Sequence, residues 1–164
     1  MQLLNLMHQP SAIPLIASWH FAEWHALFPH KTAQDFADDL ACCLHDASQD
    51  ELQQPLPQTW LVLSAQGEIC GTVSLLLSDM TTNQDLSPWL ANVFIAPEFR
   101  GQGIGKQVVQ AAMAKAAARQ VSLLYLFTED QQQFYQRLGW QLLKQERYEG
   151  EWVSIMKWCY VPTT

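Results

Sequence analysis

No run in the 164 residues approaches the ~18 consecutive apolar side chains that a membrane-spanning helix requires. The opening MQLLNLMHQPSAIPL lacks the basic start and small-residue cleavage site of a secretion signal. Basic residues are scarce: nine Lys and Arg against sixteen Asp and Glu give a net charge of −7. A phosphate-backbone binder needs a clustered basic surface, so nucleic acid is not an expected partner, and neither is a membrane. Cysteine is sparse too. Cys42, Cys43, Cys70 and Cys159 form no C-x-x-C, and adjacent Cys42 and Cys43 cannot face the same way on a helix. Free thiols are therefore expected, with no disulfide framework. His20 and His25 come nearest to H-E-x-x-H, but their i, i+5 spacing takes the two rings off one helix face, so no metal site is expected. These absences point to a cytoplasmic protein.

What is present is a foldable chain. Apolar residues make up 49% and charged residues 15%, which excludes disorder. The length suits about one domain, able to bury roughly 70% of its unfolded surface without a staple. The charge is uneven. Residues 1–90 hold ten acids and a single base, Lys31, whereas residues 91–164 hold six acids and eight bases. Such a division suggests two faces with different partners.

Periodicity gives the element order β, α, α, β, β, β, α, β, α, β, β. Residues 2–8 read as a first strand. Ala12, Leu15, Trp19, Ala22 and Ala26 recur at helical spacing, as do Phe36, Leu40, Cys43 and Ala47 behind a Thr32/Asp35 capping box. Trp60–Ala65 and Glu68–Leu77 read as a hairpin, and residues 78–88 as a turn-rich loop. Trp89–Ala96 is nearly all apolar, the mark of a strand covered on both faces. A helix with Val109, Ala112, Met113 and Ala116 on one side follows. Next come a buried strand over 121–127, a short helix opened by Thr128 and Gln131 and closed at Gly139, and strands over 140–147 and 152–160.

Between the apolar strand and the Val109 helix lies Arg100-Gly101-Gln102-Gly103-Ile104-Gly105-Lys106. Glycines allow a sharp turn and close approach to a ligand, and the helix start offers unpaired N–H groups suited to a pyrophosphate. The spacing is not that of a Walker A loop, which needs G-x-x-x-x-G-K-[ST]. It is not that of a dinucleotide fingerprint either, since Lys106 stands where the third glycine belongs. Read as R-x-x-G-x-G, with Arg100, Gly103 and Gly105, it resembles motif A of the GNAT acyl-CoA N-acyltransferase superfamily. Downstream, Phe134-Tyr135-Gln136-Arg137-Leu138-Gly139-Trp140 resembles that family's F-Y-x-x-x-G-F/W signature, with one helix and one strand between the two motifs. The likeness covers residues 59–159, and the first two helices by topology alone.

The resemblance implies an α/β (α+β) fold: a single GNAT-like domain over 1–164, with a mixed central sheet of about seven strands flanked by about four helices. It implies acetyl-CoA as co-substrate, its pyrophosphate held by Arg100, Gly101, Gln102, Gly103, Ile104, Gly105 and Lys106. Strands four and five should splay, leaving backbone groups of Val93, Phe94 and Ile95 to pair with the pantetheine arm. An amide at Phe94 or a neighbour would meet the oxyanion. Tyr135 matches the tyrosine that protonates the leaving thiolate. The implied acceptor is a primary amine. Acids on the helix pair (Glu23, Asp35, Asp38, Asp39 and Asp46) favour a cationic small molecule. A protein or peptide N-terminal or lysine acetyltransferase and a non-catalytic acyl-CoA-binding module are the alternatives, and the assembly is left open, a homodimer being one option.

Two departures stand out. Trp89 occupies the place of the glutamate that serves many members as base, leaving Glu129, His30, Glu149 and Glu151 as candidates. Thr128 stands where the family often has asparagine. The run Thr128-Glu129-Asp130-Gln131 resembles the branch that contains the actin N-terminal acetyltransferase.

Overall fold

A computed structural model describes residues 1–163. In chain order the elements are β1 (Gln2–Asn5), α1 (Ile13–Trp24), α2 (Ala33–Ala41), β2 (Gln58–Leu63), β3 (Ile69–Leu76) and β4 (Trp89–Ile95). They continue with α3 (Ile104–Ala118), β5 (Leu123–Thr128), α4 (Gln132–Arg137), β6 (Gln141–Tyr148) and β7 (Glu151–Cys159). The strands form one seven-stranded sheet in the order β1-β2-β3-β4-β5-β7-β6. Only β4 and β5 run parallel; every other neighbouring pair is antiparallel. The expected element order and the mixed α/β sheet are both present.

Local chemistry explains the ends of elements. The Asp35 amide donates to Thr32 Oγ1 at 3.2 Å and the Thr32 amide donates to Asp35 Oδ2 at 2.7 Å, so α2 begins with the expected capping box. The Thr32 amide and hydroxyl, both donating to Asp35 Oδ2, hold that carboxyl below its usual pKa. The Thr128–Gln131 pairing is weaker than expected. Gln131 N donates to Thr128 Oγ1 at 3.1 Å, but this closes a turn, and α4 starts one residue later without a side-chain cap.

The first helix corrects the sequence reading. Leu15, Ala22 and Ala26 are exposed, and the buried face carries Ile16, Ala17 and His20. Alanines and aromatics occur all round this segment, so apolar spacing alone selects no face. The face that wins includes a polar histidine, which a count of apolar residues passes over. In the second stripe Phe36, Leu40 and Cys43 are buried, while Ala47 lies exposed beyond the end of α2.

Three apolar clusters fill the layers. One packs α3 through Val108, Val109, Ala112 and Ala116 onto one face of the sheet. A second packs α1 and α2 onto β2 on the other face through Ile16, Phe36, Leu40 and Leu61. A third joins Met80, Trp89, Tyr148, Val153 and Ile155 beneath Phe28. Within the sheet, Gly71 permits a close approach: a Cβ there would sit 2.3 Å from the Phe94 carbonyl oxygen.

Candidate active site

β4 bends at Asn92. In the β3–β4 register Thr72 faces Phe94 and Ser74 faces Ala91, so Val73 alone opposes both Asn92 and Val93. This is a β-bulge, and Asn92 takes φ of +53°, a left-handed value that asparagine tolerates better than most side chains. Asn92 Nδ2 donates to Ser74 Oγ at 3.0 Å, and Thr72 Oγ1 donates to the Asn92 carbonyl at 2.8 Å. Beneath the bulge, fully buried Thr72 meets His20 Nε2 at 2.9 Å.

The bulge steers β4 away from β5. Trp89 and Tyr125 are paired, and no later residues of the two strands are. The β4 edge from Leu90 onward therefore has no β5 partner, which is the splay expected from the sequence.

The chain then makes a 3-10 turn over Pro97–Phe99 and enters the glycine segment. Gly101 and Gly103 have φ of +76° and +77°, and a Cβ at either position would point into open space. Gly103 caps α3 without any side-chain bond. The first amide of the helix to find a carbonyl is Gln107 N, on Gly103 O at 3.3 Å. The amides before it form a free N-terminal turn of the kind that receives anionic oxygens.

A cleft of about 1490 Å³ runs from this turn through the gap between β4 and β5 to the α1–α2 side. Val93, Phe94 and Ile95 line it, as do Arg100, Gly101, Gly103, Ile104 and Gly105, and so does Tyr135. Gln102 and Lys106 do not; both are exposed outside the cleft. Arg100 crosses to the other wall. Its Nε donates to the Ile95 carbonyl at 2.8 Å, its guanidinium lies 5.5 Å from the Phe94 ring, and one amino group is 3.7 Å from Glu23.

Tyr135 on α4 is 8% exposed, with ring centroids of Phe134 at 5.0 Å and Trp140 at 6.1 Å. Burial pushes its phenol up to about 12, so it keeps its proton at every ordinary pH. Of the four base candidates, only Glu129 lines the cleft. Its pKa is raised, first by burial and then by Glu151, Asp130 and Glu23. His30, Glu149 and Glu151 lie elsewhere. Trp89 is a core residue, 1% exposed, with Nε1 donating to Leu86 O at 2.7 Å.

Sequence reasoning missed two groups in the cleft. His20 lines it and is 2% exposed; burial and then Lys31 drive its imidazole down to about 3, so it is neutral. Asp79 enters from the loop between β3 and β4, and burial drives its carboxyl up to about 8 against the opposing pull of Lys31. An acid one turn past a strand end in a polar loop gives no sequence signal of this placement. Several of the helix acids are engaged nearby: Asp39 with Lys31 at 2.5 Å, Asp46 with Ser48 and Asp35 in its cap.

Residues 57–142 match the family described as the acetyltransferase (GNAT) domain. No curated protein sequence matches. Among solved structures, an aminoglycoside 6'-N-acetyltransferase complexed with coenzyme A superimposes with a TM-score of 0.73 at 14% identity, covering 100% of this chain and 99% of that one. The aminoglycoside 6'-N-acetyltransferase from Enterococcus faecium gives 0.71 at 14% identity, over 100% and 99%. A chimeric spermidine N-acetyltransferase built partly from the Vibrio cholerae protein gives 0.67 at 16% identity, over 97% and 96%. At these identities the structural likeness speaks for the fold.

Proposed function

This chain belongs to the GNAT acetyltransferase family, and we propose that it transfers the acetyl group of acetyl-CoA to the primary amine of a cationic small molecule by direct attack in a ternary complex. The observation that carries the reading is the gap between β4 and β5, which opens beside a free helix N-terminus and in front of a buried tyrosine. The site fits the group. Open space above Gly101 and Gly103 and the free amides at the start of α3 suit a pyrophosphate, and the unpartnered β4 edge suits an amide-bearing pantetheine arm. Acetyl-CoA supplies the activated acetyl group.

The protein's own part is to hold and polarise. The β4 backbone near Phe94, unpaired with β5, would meet the thioester carbonyl of a bound acetyl-CoA and stabilise charge developing there. Tyr135, protonated throughout, donates to the departing sulfur. Free thiols at Cys42, Cys43, Cys70 and Cys159 suit a reducing, cytoplasmic setting. We read residues 1–164 as one such domain.

Amine-dependent thiol release from acetyl-CoA tests this across polyamines, aminoglycosides, neutral amines and peptides, at low and high salt. Cationic small amines should give the highest kcat/KM, with a preference that salt weakens. A preference for acidic or neutral acceptors, or one untouched by salt, would defeat the electrostatic argument. Turnover of peptides alone would move the acceptor to protein.

A further inference from the structure

Two acids of the cleft, Asp79 and Glu129, have no hydrogen bond or ion pair among the described residues, and they differ in setting. Glu129 is exposed at the end of β5, whereas Asp79 is partly covered and sits deep enough for burial to dominate its titration. An unpaired carboxyl in such a place holds its proton up to about pH 8, and a cation arriving beside it favours the ionised form.

The loop holding Asp79 is tied down. Met80, next in the chain, is 3% exposed and packs with Trp89 and Tyr148. Thr81 N donates to Tyr148 Oη at 3.0 Å, and Asn83 Nδ2 donates to Glu146 Oε1 at 2.5 Å. The loop that carries Asp79 is thus anchored to β6 of the β6–β7 hairpin. The cluster that holds Met80 also brings the rings of Phe28, Phe127 and Tyr148 to this cleft, the last 6.2 Å and 5.6 Å from the other two. Lys31 pulls the Asp79 titration down against burial, and its ammonium is already paired with Asp39 and lies over the Phe28 and Phe36 rings.

Position decides the role. Tyr135 belongs to the cluster on the α3 face of the sheet, and Asp79 opens onto the α1–α2 side of the same cleft. A molecule reaching the gap from that side passes a carboxyl that ionises beside a cation, and aromatic rings that line the same cleft, which together suit an alkylammonium group.

We propose that Asp79 binds the ammonium group of the acceptor and takes the proton that must leave before its nitrogen can attack. The proposal rests on the acetyl-transfer reading above. In the full sequence the ammonium gives one proton to the Asp79 carboxylate, which releases it to solvent after turnover. The neutral nitrogen forms the C–N bond, and the C–S bond breaks with its electron pair on sulfur. Tyr135 gives its hydroxyl proton to sulfur and recovers the second proton lost by nitrogen as the amide forms. The products are the N-acetyl compound, the free thiol and one proton.

The test measures kcat/KM between about pH 6 and 11 for the wild type, Asp79→Asn and Asp79→Glu, using the amine that the acceptor panel finds fastest, since alkylammonium groups titrate at about 10.4. Calorimetric acetyl-CoA affinity is measured beside it. At about pH 7.5 Asp79→Asn should lose on the order of 100-fold in kcat/KM, as for a removed general base, with acetyl-CoA affinity unchanged. The deficit should shrink to under about threefold once pH exceeds the acceptor's own pKa, since a neutral amine needs no proton acceptor. Asp79→Glu should retain part of the rate at about pH 7.5. A deficit equal at all pH values, or below about threefold at pH 7.5, overturns the assignment to Asp79 while leaving acetyl transfer standing. A wild type that releases no thiol with any amine overturns the acetyl-transfer reading, and the role of Asp79 with it.

Discussion

His20 and Thr72 meet at 2.9 Å, Nε2 to Oγ1, and Thr72 passes its only hydroxyl proton to the Asn92 carbonyl at 2.8 Å. With that proton committed, His20 must be the donor, so its own proton sits on Nε2 and Nδ1 is bare. A helix-borne imidazole thus fixes the residue at which β4 turns away from β5.

Removing the middle of this chain should be felt in stability. Thr72→Val leaves a buried N–H and a carbonyl without their partner, and should cost about 1–3 kcal/mol. Urea unfolding checks this, with Thr72→Ser as the control that keeps the hydroxyl. Equal midpoints for Val and Thr would mean that the relay bears no load.

The His20 imidazole has a folded pKa near 3, below its unfolded value of 6.5. Below 6.5 the unfolded chain binds a proton that the folded chain refuses. The stability contributed by neutral His20 is therefore complete above pH 6.5 and is lost as pH falls toward 3. A His20→Gln variant should have a flatter acid limb over that window in melting temperature against pH. An identical slope in both proteins would contradict this.

Gly103 should tolerate no branched side chain. Its φ of +77° strains any L residue, and the Cβ would project into the space above the α3 amides. Gly103→Val should lower acetyl-CoA affinity at least ~10-fold, or about 1.4 kcal/mol. Calorimetry on a variant with native circular dichroism decides it; unchanged affinity would remove the pyrophosphate from this turn.

Tyr135→Phe should reduce kcat on the order of 100-fold while leaving acetyl-CoA affinity near the wild-type value, because the phenol acts on charge that develops at sulfur. Since burial raises its titration to about 12, the wild-type rate should show no Tyr135 limb at lower pH. An unaltered kcat in pre-steady-state bursts would return the ring to packing against Phe134 and Trp140.

The sequence carried the architecture because strand and helix periods here are long and separated by Gly, Pro and Asn turns. The glycine turn and Tyr135 were equally readable, since both sit within short contiguous motifs. The acceptor side was not. His20 reaches the cleft through its α1–β3 contact with Thr72, and Asp79 through a loop tied to a distant hairpin, so no local spacing records either. Arg100 was readable as a charge beside the glycine turn, but not its reach to Ile95 and Glu23, which depends on where α1 lies. The α1 face was misread for a related reason: its buried side carries His20, bonded to Thr72, beside Ile16 and Ala17, and apolar counting gives the histidine no weight.

A single paired position, Trp89 with Tyr125, joins β1–β4 to β5–β7 across the sheet. Mechanically the molecule is two half-sheets sharing one rung, clasped from one side by α3. A strand-like ligand arm laid in the gap would add rungs that the polypeptide leaves out, making the ligand a part of the load path as well as a reactant. Saturation at 100 times its dissociation constant should then raise the unfolding free energy by about 2.7 kcal/mol. The β4 and β5 amides should gain the most protection from hydrogen exchange.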